Sequence, residues 1–180
     1  LGFIDGGVSN DWVVSAGAKC INILCKGSER HCRMQLGKTP REHVMDTITM
    51  VRDARSKGLR VNIYLEDWSN GMKDSPDYVM YLMDRIRKEE IERFMLPDTL
   101  GILDPYDTFD FVKRMVKTYP ELRFDFHAHN DYDLAISNLF AALKVGASGV
   151  HCTINGLGER AGNASLSSSI AVIHDMLKLQ

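Results

Sequence analysis

Short apolar runs alternate along the chain with longer stretches in which apolar residues recur at helical spacing. The apolar runs are typical of buried strands, and they cover 20–25, 61–65, 93–96, 122–126 and 149–153. The helical periodicity predicts helices over 39–56, 75–88, from Pro105 onward, 134–146 and 164–177. We also expect the end of an earlier strand at 1–4 and a helix near 11–16.

This alternation predicts a parallel α/β sheet with crossover helices. Two architectures fit it: an open doubly wound sheet and a closed (β/α)8 barrel. Polar groups follow every predicted strand, which fits the catalytic face of a barrel better than a single crevice. They include Lys26, Glu66, Asp98, His127 and Thr153. A barrel needs eight units and about 250 residues. Since five full units and one partial unit are present, we expect residues 1–180 to be one partial catalytic TIM-barrel domain.

His127 and His129 stand at the end of the fourth predicted strand. Residues two apart on a strand point to the same side, so both imidazoles can reach one divalent metal ion. Two partly buried histidines bonded to carbonyl groups are the alternative. The polar residues that follow at once, among them Asn130 and Asp131, favour a metal site.

Composition and charge limit the possible partners. The net charge of −2 gives no electrostatic reason to expect nucleic acid or an anionic membrane. No apolar run approaches the length of a membrane span. The four cysteines form no Cys-x-x-Cys pair, so we expect reduced thiols and a cytoplasmic protein.

Three motifs carry a family resemblance: Pro97-Asp-Thr-Leu-Gly, His127-Ala-His-Asn-Asp, and Asn155-Gly-Leu-Gly-Glu-Arg-Ala-Gly-Asn. Together they resemble the 2-isopropylmalate, homocitrate and citramalate synthases, metal-dependent TIM barrels that join acetyl-CoA to a 2-oxo acid. The resemblance spans essentially the whole chain, as strands three to eight. Segments 1–5, 64–71 and 130–134 look most like bacterial (R)-citramalate synthases. The third motif favours this condensing branch over the related hydroxymethylglutaryl-CoA lyases.

The resemblance implies a Claisen condensation of acetyl-CoA with a small 2-oxo acid, in which a divalent metal polarises the ketone. It assigns His127, His129 and Asn163 as ligands of manganese, zinc or magnesium, between which the sequence does not decide. Asn163 could equally be the N-cap of the following helix.

The same resemblance assigns Thr99 to the substrate carboxylate and Glu66 to the catalytic base or its organiser. Thr99 could instead form a local turn, and Glu66 could form a structural ion pair with an arginine. Asp98 is expected to orient its loop. Lys26 is expected to be a solvated surface charge, although it could instead approach the phosphates of CoA.

Tyr64 bears on which 2-oxo acid is bound. The isopropylmalate branch generally has a small residue at this position, so the resemblance implies that Tyr64 narrows the substrate pocket and that Leu24 on the neighbouring strand lines it with apolar surface. Tyr64 could instead be an aromatic residue that fills the core. A small apolar pocket suits pyruvate, which would give (R)-citramalate in isoleucine and leucine biosynthesis. Hydrophobic pockets discriminate a methylene by only about 1–3 kcal/mol, so 2-isopropylmalate and homocitrate synthases remain alternatives.

The family's first-strand signature, Asp-x-x-x-Arg-Asp-Gly, is absent from these residues. It would supply a carboxylate ligand, so we expect this chain to be an inactive part of a longer enzyme, homodimeric at full length. Two alternatives stay open: a non-catalytic metal-binding barrel relic, and a retro-aldol or lyase relative that does not depend on acetyl-CoA.

Overall fold

A computed structural model describes residues 1–178 and confirms the alternation of strands and helices. The strands are β1 (Cys20–Lys26), β2 (Arg60–Glu66), β3 (Arg93–Asp98), β4 (Phe124–Ala128) and β5 (Gly149–His151). The first helices are α1 (Val8–Ser15), α2 (Glu29–Leu36), α3 (Pro40–Ser56), α4 (Trp68–Asp74) and α5 (Pro76–Ile86). They are followed by α6 (Pro105–Thr118), α7 (Ala135–Lys144), α8 (Leu166–Ala171), a 3-10 turn at Ile154–Gly156 and a π-helical turn at Val172–Met176.

The five strands lie in chain order in one sheet. The β1–β2 and β4–β5 pairs are parallel, as is β2 with the start of β3. Gly2 forms a parallel bridge with Ile23, at the place where the end of an earlier strand was predicted. These pairings confirm the parallel α/β class.

The chain divides into two compact units, Leu1–Met95 and the part from Leu96 onward. In the first unit, burial alternates along β1 and β2. One set of alternate residues is fully buried with the apolar face of α3, including Ile23, Ile63 and Val51. The other set is half-buried and carries the polar ends of the strands, since the side-chain period of a strand is two. It includes Leu24, Lys26, Tyr64 and Glu66.

Side-chain caps fix the starts of two long helices, α3 and α6. Thr39 and Glu42 form a capping box at the start of α3, with Pro40 in the first turn. Asp104 caps α6 by accepting hydrogen bonds from two amides of its first turn. Such caps satisfy amides that have no partner within the helix, so these helix starts are fixed locally.

Several elements differ from the expectation. Helices α2 and α4 were not predicted. Helix α2 buries only Cys32 and therefore shows no apolar stripe. Strand β5 ends at His151 rather than at 153, and Thr153 instead forms a bridge with Ser165. Within residues 1–178, no helix is both long and apolar enough to cross a bilayer.

Candidate functional site

Three imidazoles lie together in the second unit. His127 lies on β4 in register with His151 on β5. The ring centroid of His127 lies 5.1 Å from that of His129 and 5.6 Å from that of His151. Burial, followed by the two neighbouring imidazoles, lowers the pKa of His127 to about 4. The ring is therefore neutral near pH 7, the form in which imidazole binds metal ions.

Asn163 pairs with His129 through the backbone. The two residues form an isolated antiparallel bridge, and the amide of Asn130 donates to the carbonyl oxygen of Gly162 at 2.9 Å. Helix α8 starts only at Leu166 and is capped by Ser165, whose side chain accepts from the amide of a residue in the first turn. The alternative in which Asn163 caps this helix is therefore wrong.

The side chains at this bridge fit a metal ion. The Nδ1 atom of His129 and the Oδ1 atom of Asn163 are buried and have no hydrogen-bond partner among the described residues. Buried polar atoms are normally satisfied, and imidazole nitrogen with amide oxygen suits several divalent ions. Residues 1–178 hold no cluster of three or more histidine, cysteine or acidic side chains placed to bind a metal. His127, His129 and Asn163 would thus supply part of a coordination sphere.

Asp98 organises the loop that follows β3. Its carboxylate accepts hydrogen bonds from the amides of Ile102 and Leu103, both at 3.0 Å, and its carbonyl accepts from Gly101 at 3.1 Å. This confirms the predicted loop-orienting role. Thr99 is the next residue of this loop.

Arg160 forms a second network that was not identified from the sequence. Its guanidinium donates to both carboxylate oxygens of Asp131, at 2.8 and 2.9 Å, and to the carbonyl of Thr99 at 2.9 Å. Glu159 accepts a further bond at 2.8 Å and lies 4.0 Å from the Nε2 atom of His129. The signal available in the sequence was the position of Arg160 inside the motif that runs from Asn155 to Asn163.

In the first unit, Glu66 pairs with Lys26. These residues are register partners at the ends of β2 and β1, and their side chains form a close ion pair with only 24% and 13% exposure. The expectation of a solvated Lys26 is therefore wrong, because strand pairing places its ammonium against the carboxylate. The partner of Glu66 is a lysine rather than the arginine considered as an alternative.

The pocket residues predicted for substrate choice lie on the same strands. Leu24 and Tyr64 are register partners. Leu24 and Lys26 line a cavity of about 130 Å³ together with Phe3 and His43. Leu24 thus presents apolar surface to a small cavity, and Tyr64 lies on the neighbouring strand.

These features define a class: a parallel strand–helix segment with polar side chains at its strand ends and a candidate metal-binding histidine pair. The chain belongs to the HMGL-like family, whose model matches residues 9–179. The structure resembles a hydroxymethylglutaryl-CoA lyase from Bacillus subtilis, with a TM-score of 0.84 and 20% identity over 97% of this chain and 61% of that one. A Pseudomonas aeruginosa lyase gives a TM-score of 0.83 at 18% identity. The fold is therefore a partial TIM barrel of this family, as predicted.

Curated relatives carry synthase names. A 2-isopropylmalate synthase of Sulfurisphaera tokodaii is 33% identical over 93% of this chain and 42% of its own length. A homocitrate synthase of Saccharolobus solfataricus is 36% identical, over 85% of this chain and 32% of its own. A candidate (R)-citramalate synthase of Methanopyrus kandleri is 34% identical, over 92% and 32%. The family resemblance is confirmed, and the chain spans about two fifths or less of the length of these relatives.

Proposed function

We propose that the full-length protein condenses acetyl-CoA with a small 2-oxo acid. The observation that carries this proposal is the bridge between His129 and Asn163, whose side chains each have a buried atom with no hydrogen-bond partner among the described residues. The ring of His127 lies 5.1 Å from that of His129. The synthase names of relatives at 33–36% identity support the condensing reaction over the lyase reaction.

In the proposed mechanism, His127, His129 and Asn163 would hold a divalent ion, which is manganese, zinc or magnesium. The ion would supply Lewis-acid polarisation of the 2-oxo acid. The hydroxyl group of Thr99 donates a hydrogen bond to the substrate carboxylate. Glu66 accepts a proton from the acetyl methyl group, or orients the group that does. The methyl carbon then bonds to the ketone carbon, whose oxygen gains a proton. Water finally hydrolyses the thioester and releases CoA as the thiol.

Pyruvate is the 2-oxo acid that we propose, which makes (R)-citramalate the product. The apolar surface of Leu24 beside a cavity of about 130 Å³, with Tyr64 on the adjacent strand, supports a small substrate. 2-Oxoisovalerate and the homocitrate synthase substrate are the alternatives, since relatives of all three activities have similar identity.

The test is CoA thiol release by the full-length protein, with acetyl-CoA and pyruvate or 2-oxoisovalerate. We expect turnover with pyruvate, loss of turnover in His127→Ala, and normal turnover in His174→Ala, whose side chain is 79% exposed outside the site. Preference for 2-oxoisovalerate would refute the pyruvate assignment. Substrate cleavage without acetyl-CoA would favour the lyase alternative. Metal binding without either reaction would favour the binding relic.

Two further expectations accompany this function. We propose that the full-length protein is a homodimer, which light scattering coupled to gel filtration tests directly. The four cysteines are free thiols, which supports a reducing compartment such as the cytoplasm.

A further inference from the structure

The guanidinium of Arg160 joins three loops of the second unit. It bonds both oxygens of Asp131, in the loop after β4, at 2.8 and 2.9 Å. It also bonds the Thr99 carbonyl, in the loop after β3, at 2.9 Å, while Arg160 itself lies in the loop after β5. A forked, charge-assisted contact of this kind fixes geometry as well as adding energy.

Asp131 also packs closely against Gly101. A Cβ atom added to Gly101 would lie 2.5 Å from Oδ2 of Asp131 and 3.0 Å from its Cβ atom. Gly101 also has a φ of +62°, which favours glycine. The carboxylate of Asp131 therefore lies close to Gly101 as well as to the guanidinium of Arg160.

The backbone of Arg160 gives independent support. Its φ of +54° lies in the left-handed region, which is disfavoured for a long side chain. Glycine would make this turn with less strain. Strained residues persist when surrounding contacts hold them in place, and here the contacts are those of the guanidinium.

We propose that Arg160 is a positioning residue that holds Thr99 and the His129–Asn163 bridge in one arrangement. Asp131 lies two residues after His129, and Asn163 lies three residues after Arg160. The clamp of Arg160, Asp131 and Gly101 therefore joins the loops that carry Thr99, His129 and Asn163, the candidate site residues of the second unit that lie outside β4. This inference rests on the proposed function for the roles of the residues that it positions.

The test uses the full-length protein and two substitutions. Arg160→Lys keeps the charge but loses the fork, and Arg160→Gly relieves the strained turn but removes the clamp. The matched control is Arg52→Gln. In the first unit, Arg52 makes a similar forked contact with Glu89, at 2.9 and 2.8 Å.

Mn²⁺ affinity is measured by calorimetry on metal-free protein. We expect it to fall about tenfold or more in both Arg160 variants, as is common when a residue that orients metal ligands is lost, and to stay unchanged in Arg52→Gln. Hydrogen exchange of the amides in 99–103 is measured without metal, and we expect it to accelerate only in the Arg160 variants. The KM for the 2-oxo acid should also rise in both Arg160 variants, because Thr99 would no longer be held in position to bind the substrate carboxylate.

The outcomes separate the two proposals. Wild-type Mn²⁺ affinity and exchange in Arg160→Gly would overturn the positioning role, leaving backbone bonds such as that from Asn130 to Gly162 to hold the loops. Weakened Mn²⁺ binding in these variants of a protein that condenses nothing would refute the proposed function and keep the positioning role. If the wild type binds no Mn²⁺, the metal site is refuted, and the exchange of 99–103 alone decides the role of Arg160.

Discussion

His43 is a buried histidine whose burial makes the stability of the fold depend on pH. The side chain is fully buried on α3. Its Nε2 atom accepts a hydrogen bond from the amide of Lys26 at 3.0 Å and lies 3.2 Å from the Sγ atom of Cys25. Burial is the main cause that lowers the pKa of His43 to about 4 from its model-peptide value of 6.5. The folded protein therefore holds this ring neutral where an unfolded chain would protonate it.

The sign and size of the effect follow from linkage. Because the folded pKa lies below the unfolded one, the unfolded chain binds more protons between pH 6.5 and 4, so stability falls as the pH is lowered through this window. One pKa unit corresponds to about 1.4 kcal/mol. The loss attributable to His43 should therefore reach about 2 kcal/mol at pH 5 and about 3 kcal/mol at pH 4 or below.

The assay is urea unfolding of the wild type and of His43→Gln at pH values from 4 to 7.5. Glutamine keeps an acceptor for the Lys26 amide but does not titrate. We expect the free energy of unfolding of the variant to lose about 2 kcal/mol less between pH 7 and pH 5 than that of the wild type. His174→Gln, at an exposed position, should follow the wild type. Parallel pH profiles for the wild type and His43→Gln would refute the reasoning.

Three further predictions concern the loops and thiols. Asp98→Ala should cost about 3 kcal/mol in urea unfolding, because two loop amides lose a carboxylate acceptor; a loss below about 0.5 kcal/mol would contradict the role of this carboxylate. Gly158→Ala should weaken Mn²⁺ binding, because the new Cβ would clash with the Nδ2 atom of Asn163, lie 3.0 Å from its Cγ atom and displace its amide; unchanged affinity would count against Asn163 as a ligand. Cys25 should resist a thiol reagent at pH 8 until the protein unfolds, because burial raises its pKa to about 12; labelling of all four cysteines in the native state would show otherwise.

The fold was predictable where local signals and burial agree. Helix α3 has both an apolar stripe and a capping box at Thr39, and its predicted span of 39–56 matches Pro40–Ser56 with its cap. Helix α2 has an N-cap at Ser28 and a C-cap at Gly37, yet its low apolar content left no periodic pattern to detect. Periodicity reports burial rather than helicity, so a mostly exposed helix leaves little trace in it.

The second-unit site was predictable in part because spacing alone places side chains on one strand. His127 and His129 needed only the two-residue period of β4 and its continuation. Asn163 came from the resemblance rather than from spacing, and its bridge to His129 confirms their proximity. Arg160 was missed because its partner Asp131 lies 29 residues away, and no local rule connects the two loops.

The Lys26–Glu66 pair shows what limited the prediction. Both residues follow an alternating buried run, and both were recognised as strand-end polar groups. Their contact depends on the parallel register, in which Cys20 pairs with Arg60 and each later residue follows in step. A shift of one residue would have placed Lys26 beside Leu65 or Asp67 and turned the pairing to the other face. Strand periodicity predicts the face that each side chain occupies, whereas register decides its partner. The chemistry of the pair therefore had to come from the structure.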